Sequence, residues 1–169
     1  MARDTRGPHE PETTDAHAVS SRAVAKNPDP QTPLQTIGGD VRSIDDWTTT
    51  FHLCLIVLPD QMEARSFLPV ADRIFKVFGD ADCHTALVIP STPTIAQRIL
   101  GKDAERTLTF VDPDRVLVDA LGLETLPAIV HVCQDTSVGA AAEGWDAAAW
   151  QRVTDELAKA MAWSAPELV

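Results

Sequence analysis

The chain has 169 residues, 44% of them hydrophobic and 23% charged, which is material for one domain with a sizeable core rather than for several. A formal net charge of −11 repels phosphate backbones and anionic lipid, so nucleic acid and membrane surfaces are excluded as first expectations for partners. No stretch approaches the roughly 20 apolar residues that span a bilayer, and the first thirty residues hold no apolar run like the core of a signal peptide, so a cytoplasmic protein is expected.

Residues 1–40 read as an acidic, proline-rich, disordered tail: five of the twelve prolines (Pro8, Pro11, Pro28, Pro30, Pro33) fall there among Thr, Ser, Asp and Glu, with little to bury. Residues 41–169 read as the folded domain. Phe51–Leu58 is a continuous apolar run of strand length closed by Pro59, as expected of a central strand covered on both faces. Ala64, Phe67, Leu68, Ala71, Ile74, Phe75 and Phe78 then fall on one helical stripe ending at Gly79, with Pro69 predicted to remove a backbone donor and kink the helix. His84–Pro90 predicts a second strand, and Thr92-Pro93 an N-cap and first-turn proline for a helix ending before Gly101. Thr107–Val111 predicts a third strand, Asp112-Pro113 the cap of a helix through Leu121, and Gly122 its stop. Ala128–Cys133 and Val138–Glu143 predict two more strands. Asp146 caps a final helix with Trp150, Val153, Leu157 and Met161 on its apolar face. This alternation indicates an α/β sandwich with a mixed central sheet flanked by helices.

In order and spacing, Leu55–Leu58, Pro69, Phe110–Asp114, Ala120–Leu123 and the Leu126-Pro127 step into Ala128–Val130 resemble the thioredoxin-like superfamily, in its peroxiredoxin and membrane-anchored-reductase branch. The Ala-rich, Arg-over-Lys composition also resembles actinobacterial members that lack the paired cysteines. The resemblance implies a cis Leu126–Pro127 bond and a Cys-x-x-Cys at the start of the kinked helix. Counting back from Pro69 puts those two positions at Gln61 and Ala64, where no thiol stands, while Asp60 and Glu63 add negative charge where a thiolate needs positive potential. No catalytic residue is therefore expected there, and an enzyme is not expected; if there is catalysis, it is thiol-dependent oxidoreduction. What the resemblance leaves is a groove for extended polypeptide built from Pro59, Asp60, Gln61, Met62, Thr125, Leu126 and Pro127.

Three cysteines, Cys54, Cys83 and Cys133, are an odd number at wide spacing, which suits reduced thiols. His52-Leu53-Cys54 and His131-Val132-Cys133 place a His and a Cys on one strand face each. If these strands are antiparallel neighbours, as the resemblance implies, His52, Cys54, Cys83, His84, His131 and Cys133 gather at one pole of the sheet. Thiolate and imidazole are zinc's ligands, but the spacing matches no common zinc module and buried cysteines are ordinary core residues, so no metal and no cofactor are expected. The tryptophans, Trp163 above all, are candidate interface residues. The expected function is a thioredoxin-like domain without a redox dithiol that binds a protein or peptide, with homodimerisation left open. The alternative is a single-cysteine redox protein or peroxide sensor using Cys83, Cys54 or Cys133.

Overall fold

The apolar run at the centre of the sequence becomes the central strand of the sheet. A computed structural model describes residues 25–169, with elements β1 (Pro33–Thr36), β2 (Val41–Ser43), α1 (Ile44–Thr48), β3 (His52–Val57), a 3-10 turn (Met62–Phe67), α2 (Leu68–Phe78), β4 (Cys83–Ile89), α3 (Pro93–Leu100), α4 (Asp103–Arg106), β5 (Thr109–Val111), α5 (Val116–Ala120), β6 (Ala128–Val132), β7 (Val138–Glu143) and α6 (Ala147–Ala160). The strands form one mixed seven-stranded sheet in the order β2-β1-β5-β4-β3-β6-β7. β3 lies parallel to β4 and antiparallel to β6. Because side chains alternate across a strand, β3 divides its residues between two cores. Cys54 and Ile56 pack with Ile74 and Phe78 of α2 and with Trp150, Val153 and Leu157 of α6, while Leu53, Leu55 and Val57 pack with Ile44 of α1 and Leu117 and Val118 of α5. No described helix is long and apolar enough to cross a membrane.

Several local signals act where expected. Thr92 accepts a hydrogen bond from the amide of Ile95 at the start of α3, with Pro93 in the first turn, and Asp146 accepts from the amides of Ala148 and Ala149 at the start of α6. Two elements differ. Pro69 does not kink a helix: the chain runs as a 3-10 turn to Phe67, and Pro69 sits in the first turn of α2, where its missing N–H has no intrahelical acceptor to lose. Asp112 also caps at longer range than its position suggests. Pro113 opens a turn in which Arg115 takes φ 57°, so α5 starts only at Val116, and the Asp112 carboxylate accepts from the amides of Leu117 and Val118 at 3.2 and 2.9 Å.

Residues 25–40, expected in the 1–40 tail, belong to the fold. The first part of that tail, 1–24, lies outside the described residues, but β1 pairs with β5 through Gln35↔Val111 and Thr36↔Phe110, and Leu34 is 1% exposed in the core. The Lys26 amide donates to the Leu121 carbonyl, and the Val138 amide to Asn27 Oδ1, each at 2.8 Å. A segment poor in apolar residues can join a sheet this way because the ladder bonds come from its backbone and one buried leucine anchors it. Leu34→Ala is therefore expected to cost about 2–5 kcal/mol, read as a lower urea midpoint with unchanged slope; wild-type stability in that variant would return residues 25–40 to the tail.

Candidate functional site

The register of β3 against β6, Val57↔Ala128 at one end and Leu53↔Val132 at the other, decides which residues meet. At the first end, Pro59–Met62 leaves β3 beside Thr125–Pro127 as it enters β6. The Leu126–Pro127 bond is cis. Gln61 and Met62 are exposed, Met62 by 52%, whereas Ala64, within the 3-10 turn, is fully buried. Glu143, at the end of β7, accepts from the amides of Glu124 and Thr125 at 2.6 and 2.9 Å and so fixes the loop ahead of Pro127. Trp145 follows, 45% exposed, its ring 6.3 Å from Phe67 and 4.9 Å from Trp150. This end carries apolar side chains and exposed carboxylates, at Asp60, Glu63 and Glu124, and its sulfur is the thioether of Met62.

The thiols lie toward the opposite end. Cys54 pairs across with His131, and His52 with Cys83. His52 Nδ1 stands 2.9 Å from His131 Nε2, and Cys133 Sγ is 3.8 Å from the same Nε2. One ligand atom from each of these three residues lies within 4.8 Å of both others. Cys54 and Cys83 share this sheet face but are buried in the core beneath. His84 is a correction to the expected cluster. Strand alternation sends the neighbour of Cys83 to the other face, where the His84 ring packs edge-on against Trp47 and Phe51 at 5.3 and 4.9 Å.

Burial dominates the electrostatics of this pole. It raises the Cys54 thiol well above its usual range, with neighbouring Cys83 adding to the effect, and pushes Cys83 up to about 12. Burial also raises Cys133 and lowers His131 to about 4, the nearby His52 contributing to the latter. These thiols are held protonated, as small hydrophobes.

Two residues that shape these ends escaped the sequence. Glu143 gave no signal, because its role depends on the β6–β7 register. Gly139 did give one, since a glycine inside a strand marks a bulge or a close approach. The register slips so that His131 pairs with Ala140 and Val132 with Val138, leaving Gly139 as the extra residue. A Cβ there would stand 2.7 Å from His131 Nδ1 and 2.9 Å from Cys133 Sγ. Gly139→Ala is expected to destabilise the fold by about 1–3 kcal/mol through overpacking, measured by urea unfolding. An unchanged midpoint would show that the His131 ring has room to move.

Trp163, expected to reach outside the domain, donates its indole N–H to the Val77 carbonyl at 2.8 Å and remains 43% exposed. No protein-family profile matches the chain, and no curated protein sequence does. Solved structures do match it in shape. A putative thiol:disulfide interchange protein DsbE from Chlorobium tepidum superposes with a TM-score of 0.64 at 15% identity, covering 80% of this chain and 96% of that one. A secreted Mycobacterium tuberculosis disulfide oxidoreductase gives 0.60 at 12%, covering 76% and 96%. A PrxQ mutant from Xylella fastidiosa gives 0.62 at 13%, covering 82% and 98%. With cysteines at positions 54, 83 and 133 alone, the protein has the thioredoxin-like fold and no Cys-x-x-Cys.

Proposed function

We propose that the protein binds an extended polypeptide, or an exposed segment of a partner protein, where Pro59–Met62 meets Thr125–Pro127, and that it does so without thiol-disulfide exchange. The observation that carries this reading is the pairing at that end of exposed apolar side chains, Met62 at 52% and Trp145 at 45%, with a loop fixed by Glu143. Aromatic side chains bury large area and the flexible thioether adapts to irregular surfaces, so both serve as anchors for a peptide. The carboxylates of Asp60, Glu63 and Glu124 around them favour a segment that is basic as well as apolar. Exchange needs a thiolate able to attack a disulfide. The cysteines stand away from this end, and burial keeps them protonated.

A second reading, a single peroxide-sensitive thiol, is favoured by one observation: Cys133 is only partly buried, with Sγ 3.8 Å from His131 Nε2. Titration with an aromatic disulfide separates the two. The binding reading expects all three thiols of the native protein to react slowly at pH 8 and quickly in denaturant; a fast, stoichiometric reaction at Cys133 in the native state would favour the sensor.

Calorimetry against a reduced, alkylated, basic polypeptide that cannot fold tests the binding itself. Met62→Ser and Trp145→Ser are each expected to weaken association by about tenfold, near the threshold of a hot-spot residue. Affinity indistinguishable from wild type in both variants would overturn the reading. So would acceleration of insulin reduction by dithiothreitol in the presence of the protein.

A further inference from the structure

The thiol-bearing pole holds an arrangement that peptide binding does not use. Two imidazoles and a thiol converge there from paired strands, and one of the imidazoles, His131, is 2% exposed. Among the described residues, the polar partners of His131 are His52 Nδ1 and Cys133 Sγ, both at Nε2. We infer that His52, His131 and Cys133 form a site for a borderline-soft divalent cation of the zinc class, bound through His52 Nδ1, His131 Nε2 and the Cys133 thiolate with one position open to solvent.

Two of the three ligand separations approach that chemistry, and the third, His52 to Cys133, lies within 4.8 Å. Zinc–nitrogen bonds of about 2.0–2.1 Å and zinc–sulfur bonds of about 2.3 Å at tetrahedral angles put two nitrogens about 3.4 Å apart and nitrogen and sulfur about 3.6 Å apart. The observed His131–Cys133 separation of 3.8 Å needs almost no change. The 2.9 Å between the imidazoles must open by about half an ångström. His52, at the start of β3 and only half-buried, is free to make that shift, whereas His131 is fixed in place under Gly139.

Two imidazoles and a thiolate are a donor set for zinc and copper rather than for magnesium or calcium. The negative charge of Asp82 acts on His52 and that of Asp135 on Cys133. Both carboxylates are exposed and add the negative potential that draws a cation in. Binding balances with the loss of a single proton. The neutral imidazoles keep their two N–H protons, relocated to His52 Nε2 and His131 Nδ1, and the Cys133 thiol proton leaves to solvent as the sulfur takes the metal.

The test uses the full chain without a histidine tag, stripped with chelator and kept reduced, titrated with Co²⁺ as a spectroscopic stand-in and then with Zn²⁺. The expected result is an intense thiolate-to-cobalt charge-transfer band with tetrahedral d–d bands, saturating at one ion per chain and lost on adding Zn²⁺, with one proton released per ion. His52→Ala and Cys133→Ser change partly exposed positions, and circular dichroism checks that they fold. Each is expected to lower affinity by more than about 100-fold, beyond what loss of an outer-shell partner costs. His84→Ala, on the other sheet face, is expected to bind as wild type. Absence of the thiolate band, or its survival in Cys133→Ser, would overturn the site and mark any bound ion as adventitious.

Discussion

The register of β3 is the constraint on which both ends of the molecule depend. This strand pairs on one side with β4 and on the other with β6, and every residue from Leu53 to Val57 is fully buried. Slipping either pairing by one residue would exchange side chains between two cores packed to different shapes, so packing on both faces locks the alignment of the three strands. From that alignment it follows that Pro59–Met62 stands beside Thr125–Pro127, and that His52 stands beside Cys133 a strand's length away.

The two ends are chemically distinct. The end near Pro127 presents thioether, indole and carboxylate to solvent, a surface that gains from covering apolar area. The other end gathers imidazole and thiol, partly withdrawn from water, where burial holds sulfur protonated and imidazole neutral. The thiols lie in or just past strands, where burial raises them above the usual range and ionisation needs a compensating positive charge.

Much of the fold was readable because its signals are local. The apolar runs of β3 and β4, the caps at Thr92 and Asp146, and the stripe of α6 each need only neighbouring residues to act. β1 was not readable, since its place in the sheet rests on backbone bonds and a single leucine, and neither stands out in a proline-rich segment. Pro69 misled because a proline's effect depends on where the helix starts, which the 3-10 turn decided. At the pole, the twin His-x-Cys pairs were visible as pairs. His84 was misplaced because adjacent residues of one strand cannot share a face, a parity that becomes decisive only when Cys83 is known to align with His52.

The hairpin of β1 and β2 has a consequence for how the molecule behaves among its copies. Without it, the backbone donors and acceptors of β5 would form an open sheet margin ready to template another chain. With it, that margin passes to β2, which spans only Val41–Ser43 and bears Arg42, whose guanidinium lies 4.8 Å from the centre of the Trp47 ring. A strand this brief, guarded by a fixed positive charge, offers poor purchase for strand addition. The residues that look least like part of the fold thus close one margin of the sheet, β7 forming the other.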